Sequence, residues 1–154
     1  VLAFWQLFAW CDLHASRWRL PTADLATATR SRRLVAEYYD RQGFPIPAVD
    51  GVEPALVWAR MFEDPNYRRV ALDELPDGSL LSTAWLGLYY GFGGQPYIFE
   101  TMRFKEDRGG RRDWLTFPDP VDGGEAEQLR YTTEEEALAA HHEIVRRLRI
   151  RLGH

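Results

Sequence analysis

The residues best equipped for chemistry are two adjacent histidines, His141 and His142, and a carboxylate, Glu100, set inside the apolar run IFETM. A zinc site needs ligands at helical spacing plus others from elsewhere, as in HExxH. Adjacent helical histidines point about 100° apart and do not share a metal. His141 falls on an apolar helical stripe and reads as a half-buried, hydrogen-bonded histidine, with His142 exposed beside it. Glu100 must find a partner in Arg103, Arg130 or His141, or else carry a raised pKa. Ser82, Thr83 and Thr101 offer hydroxyls without a GxSxG elbow. Glu100 and His141 are thus the candidate catalytic pair, and neither a metal site nor a cofactor is expected.

Residues 82–102, STAWLGLYYGFGGQPYIFETM, put four glycines among aromatics. Gly91, Gly93 and Gly94 serve a loop that needs positive φ. GFGGQP is no phosphate loop, because it lacks the GxGxxG spacing, a following helix and a Walker lysine. A hairpin turn is the preferred reading, with Tyr89 pairing Tyr97 across it. A ligand-gripping loop at Gly91–Gly94 is the alternative. Its candidate ligand- or partner-binding residues are Tyr89, Tyr90, Phe92 and Tyr97.

The elements that must position these groups follow from periodicity. EPALVWARMF (53–62) predicts a short helix, with an Asp50/Glu53 capping box and Pro54 in its first turn. RRVALDEL (68–75) has strand character, and PDG (76–78) is a turn. SLLSTAWLGLYY (79–90) predicts one long strand, apolar on both sides and so covered on both faces. PYIFETMRF (96–104) pairs back to it, and DWLTF (113–117) and QLRYT (128–132) add short strands. TTEEEALAAHHEIVRRLRIRLG (132–153) reads as one amphipathic helix. Thr132 or Thr133 caps it, with three glutamates in its first turn and arginines in its last. Ala137, Leu138, His141, Ile144, Val145, Leu148 and Leu152 form its apolar stripe. The expected fold class is α+β: a three- or four-stranded antiparallel meander packed by this long helix and the short N-terminal one.

Composition bounds the function. With 154 residues and 45% hydrophobic content, the chain suits one domain with a substantial core. A single cysteine, Cys11, excludes an internal disulfide framework and any multi-cysteine zinc site, which points to a cytoplasmic setting. No membrane span is expected. The basic residues are 18 arginines and one lysine, a ratio read as codon bias. Residues 1–34 carry a net +3 and residues 35–154 a net −7, which sum to −4. That acidic body repels nucleic acid at long range. Residues 1–34 look foreign to the rest, and residues 2–13 admit an amphipathic helix that would need burial or a membrane surface. The segment reads as a doubtful extension: translated upstream sequence with Val35 as the start, a genuine extension, or a targeting segment. Residues 35–154 read as the single α+β domain.

The segments AEYYDRQGFPI, FEDPNYRRVALDEL, STAWLGLYYGFGGQPYIFETMRF and YTTEEEALAAHHEIV resemble a family of small uncharacterised proteins of bacteriophages and prophages. Its pattern runs YYDRxGxPI, FEDxxYRRVA, STVWLGLDHxFxGxxPLIFETMVF and RYSTEEEALAGHE. The resemblance covers roughly residues 36–145 and omits the first 34. Tyr89-Tyr90 stands where the pattern has Asp-His, so chemistry resting on that pair would be missing, whereas His141 matches the family's helix histidine. The resemblance implies no activity. It implies a small phage or prophage accessory protein acting by binding a host or phage protein, with an enzyme or ligand-binding domain built on Glu100 and His141 as the rival.

Overall fold

A computed structural model describes residues 37–89, 95–106 and 110–153. The chain divides into two units, 1–33 and 34–154, and all described residues lie in the second. The amphipathic helix proposed for residues 2–13, Cys11, Tyr90 and the Gly91–Gly94 loop lie outside the described residues.

Strand β1 (Glu37–Tyr38) precedes a turn in which the Asp40 carboxylate accepts the amides of Gln42 and Phe44 at 3.0 and 2.8 Å, an Asx-type closure. Helix α1 spans Pro54–Glu63 with Pro54 in its first turn, as predicted. The expected capping box does not form. Glu53 is the N-cap without a side-chain bond, and Asp50 sits at φ 50° in the Val49–Val52 turn, too far back to reach the helix. The four-residue helix α2 (Pro65–Arg68) is capped by Asp64, which accepts the Asn66 amide. It leads into β2 (Arg69–Glu74).

The single long strand predicted over 79–90 is broken. Strand β3 covers Leu80–Trp85, and β4 covers Leu88–Tyr89. Gly87 lies between them at φ 61°, where an added Cβ would fall 2.1 Å from the Trp85 indole and 2.7 Å from the Tyr39 carbonyl. The chain turns there because Trp85 folds beneath it, and β4 then pairs with β1. Tyr89 therefore stands opposite Glu37, not Tyr97. Beyond lie β5 (Phe99–Glu106), β6 (Arg112–Leu115), β7 (Phe117–Pro118), β8 (Glu125–Ala126), β9 (Gln128–Tyr131) and α3 (Glu134–Arg151).

The fold is α+β. Its main sheet has five antiparallel strands, ordered β2-β3-β5-β6, with β9 also on β5. β5 shares its far edge between two partners: β9 lies along Phe99–Met102 and β6 along Arg103–Glu106. Two ribbons, β1–β4 and β7–β8, complete the strands, more than the three or four expected. The surplus comes from the break at Gly87, from the division of the 113–117 stretch into β6 and β7, and from the two-residue strands β1 and β8, which lie outside the predicted strands.

Helix α3 is capped as its sequence requires: Thr133 accepts the Glu136 amide and Glu136 returns the bond. Its stripe of Ala137, His141, Ile144, Val145 and Leu148 is buried against one face of the sheet. Arg41 pins the helix start, making a bidentate pair with Glu134 and donating to the Tyr67 carbonyl. The core has two apolar clusters. One gathers Leu75, Leu81, Phe117, Ile144, Val145 and Leu148. The other gathers Phe62, Trp85, Ile98, Phe99 and Ala137. Trp58 stacks on Phe62 at 5.0 Å, and Tyr67 meets Trp85 edge-on at 5.1 Å.

β3 was expected to be covered on both faces, but it alternates between buried and half-buried positions. Leu81, Thr83 and Trp85 face α3 and the core. Leu80, Ser82 and Ala84 face the other way and are half-buried.

Candidate functional site

Strand register decides which polar groups can meet. Thr83 stands opposite Thr101, and Ala84 opposite Glu100. Side chains alternate across a sheet, so Thr83 and Thr101 lie on the α3 face and Glu100 on the other. The two threonine hydroxyls are 2.6 Å apart, and Thr83 Oγ1 is 2.8 Å from His141 Nδ1. His141 Nε2 lies 3.1 Å from Asp73 Oδ2, and Arg149 donates to the other oxygen of Asp73 at 3.0 Å. Thr83, Thr101 and His141 are fully buried. Asp73, on the edge strand, brings the line out to the surface.

One set of proton positions satisfies every atom. An ionised Asp73 only accepts, so His141 Nε2 donates to it and Nδ1 accepts from Thr83. Thr83 in turn accepts from Thr101. Burial holds the His141 pKa below its ordinary value, and neighbouring His142 pushes the same way, while Asp73 opposes both through its hydrogen bond and its charge.

Hydroxyl, imidazole and carboxylate are the components of an acyl-transfer triad. Here they cannot act as one. The Thr83 oxygen is sealed from any substrate. The line is a buried polar seam. His141 is more deeply buried than the half-buried position expected of it, and it is hydrogen-bonded through both ring nitrogens.

Glu100 and His141 do not form a site, because they lie on opposite faces of the sheet. Glu100 is 5% exposed and takes Arg130 as its partner, Nε to Oε2 at 2.9 Å. Arg103, another partner considered for it, is engaged elsewhere. It donates to Ser79 Oγ, the Thr116 carbonyl and Asp77. Burial raises the Asp77 pKa, but the Ser79 hydroxyl and amide, with Arg103 and Lys105, outweigh it and hold the carboxyl below its usual range. This second seam fastens the β2–β3 turn to β5.

The two described tyrosines of the set differ in setting. Tyr97 is 53% exposed. Tyr89 is half-buried in the β1–β4 ribbon, and its hydroxyl has no partner among the described residues. Tyr90 and Phe92 lie outside those residues. Open depressions lie on the surface of the described residues. One, of about 290 Å³, is lined by Pro118, Gly123, Arg147, Ile150 and Arg151. Another, of about 540 Å³, is lined by Asp73, His142, Val145, Arg146, Arg149 and Ile150. Neither reaches Glu100 or the His141 ring. Among the described residues, no three His, Cys, Asp or Glu side chains group as a metal site would require, and no helix is long and apolar enough to cross a membrane.

Sequence reasoning missed Asp73 and the threonine pair as partners of His141. A usable signal existed for Thr83, which interrupts the apolar inward face of β3 between Leu81 and Trp85.

The open face carries the other notable grouping. Leu72, Leu80, Ala84, Met102 and Phe104 share it by register, and none belongs to either core cluster. Arg112 lies over the Phe104 ring at 4.9 Å, and Trp114 meets that ring edge-on at 5.8 Å. The chain matches no protein-family model, no curated protein and no solved structure.

Proposed function

We propose that this chain is a non-enzymatic accessory protein of phage or prophage origin. It works in the host cytoplasm by binding a host or phage protein through the open face of its sheet. The supporting observation is the apolar centre of that face: Leu72 is exposed, and Leu80, Met102 and Phe104 are half-buried. Apolar area rimmed by charge is the composition of a protein-binding surface, and Glu74, Glu106, Arg112 and Arg130 supply the rim. The phage attribution draws on the resemblance of the four quoted segments. Nucleic acid suits the acidic body poorly. The rival reading, an enzyme or ligand-binding domain using Glu100 and His141 near the Gly91–Gly94 loop, draws less support, because Glu100 and His141 lie on opposite faces of the sheet.

The test compares the intact chain with Leu80→Glu and Phe104→Glu variants in cross-linking capture from bacterial lysate. The expected outcome is a discrete partner that the wild type captures and both variants lose, with their thermal midpoints preserved. Equal capture by wild type and variants would overturn the reading. So would turnover of any substrate that His141→Gln abolishes.

A further inference from the structure

The outer edge of β2 is open: among the described residues, β3 is its only strand partner. Leu75 and Ser79 close the β2–β3 turn as a hydrogen-bonded pair, Leu75 N donating to Ser79 O at 2.8 Å. Alternation along an antiparallel ladder then turns the main-chain groups of Asp73 and Ala71 towards β3, and those of Glu74 and Leu72 outwards. A β-bulge between Arg69 and Ala71 returns Arg69 to the open face, opposite Ala84. Arg69, Leu72 and Glu74 therefore line one edge of one face, and Leu72 is 43% exposed.

Natural edges are usually guarded by lysine, proline, a bulge or an inward charge. RVALDE contains neither lysine nor proline, and its bulge lies at one end, leaving Ala71–Glu74 in regular register. Its one inward charge, Asp73, is held by His141 and Arg149 on the covered side.

We propose that two copies of this chain pair through that edge, β2 against β2 and antiparallel, about a two-fold axis at Leu72. Hydrogen-bond parity admits only registers in which outward-facing residues meet. With Leu72 opposite Leu72 of the second copy, each Glu74 meets the Arg69–Val70 bulge of the other. A carboxylate then faces a guanidinium at both ends, with the leucines between them. The neighbouring register on one side sets Asp73 against Asp73. The one on the other side carries both bulges into the middle of the ladder. Charge and geometry thus select a single register. The depression between β2 and α3, with Ile150 67% exposed on its wall, lies beside this edge. The pairing does not depend on the binding role proposed for the open face.

Sedimentation equilibrium on the full chain tests it. A species at twice 17.9 kDa is expected. Glu74→Arg or Arg69→Glu alone should weaken the dimer roughly tenfold or more, because each change acts twice in a two-fold interface. The double variant should restore it. Far-UV circular dichroism confirms that each variant folds. A second measurement uses Leu72→Cys in a Cys11→Ser background. Hydrogen-bonded antiparallel partners have Cα atoms about 5.5 Å apart, within disulfide span, so oxidation should yield a covalent dimer. A monomer at every concentration, a dimer indifferent to both charge reversals, no recovery in the double variant, or no covalent dimer would each overturn the proposal.

Discussion

At the scale of single residues, His141 shows why a histidine on a helix beside a sheet need not be catalytic. Its ring is sealed, both nitrogens are bonded, and burial favours the neutral form. A histidine whose folded pKa lies below its ordinary 6.5 binds fewer protons folded than unfolded. Its contribution is therefore complete above pH 6.5 and is lost as pH falls from there towards the folded pKa. Urea midpoints measured from pH 8 to pH 5 should fall across the acid half of that range, and His141→Leu should flatten that part of the profile. Gly87 makes a steric demand of its own, at φ 61° with the Trp85 indole where a side chain would begin. Gly87→Ala is expected to cost about 2–3 kcal/mol, read as a lower urea midpoint with an unchanged slope. A midpoint within experimental error of wild type would show that the Trp85 ring can move aside.

At the scale of elements, legibility followed locality. The ends of α3 are written in adjacent residues, so Thr133, Glu136 and the arginine-rich last turn were readable. Thr133→Ala removes the cap and should cost about 1 kcal/mol, while Thr132→Ala, beside the cap, should cost measurably less. Thermal denaturation of the two variants separates them. Pairing of β3 with β5 was equally readable, because both strands carry long runs of strand-forming residues. The break at Leu86–Gly87 was not. It depends on an indole folding back across the chain and on Trp58 Nε1 donating to the Leu86 carbonyl at 2.7 Å, a contact 28 positions distant. The same holds for Asp50. Its spacing to Glu53 suggested a capping box, but the Val49–Val52 bridge had already turned the chain. Glu100 was correctly marked as needing a partner. The choice of Arg130 follows from β9 lying beside β5, a pairing that no local pattern announces.

At the scale of the whole molecule, the polar seam divides the core. Along β3 the inward positions run Leu81, Thr83, Trp85; along β5 they run Arg103, Thr101, Phe99; along α3, Ala137 is followed by His141 and then Ile144. In β3 and α3 a polar residue separates the two apolar clusters, and on β5 Thr101 borders Phe99 of the second. A buried hydrogen-bonded layer of this kind adds little net stability, since its bonds replace bonds to water. It is costly only when half-removed. His141→Leu alone would leave Thr83 and Thr101 short of an acceptor in a dry interior and should cost about 1–3 kcal/mol. Replacing the whole layer, Thr83→Val with Thr101→Val and His141→Leu, removes every orphan and fuses the clusters, while Asp73 keeps Arg149. The triple variant is therefore expected to be at least as stable as the parent, despite containing the damaging single change. Denaturant titration of the single and triple variants decides it. If the triple variant is the weaker of the two, the seam contributes more than mutual satisfaction. It would then be holding α3 in register on the sheet.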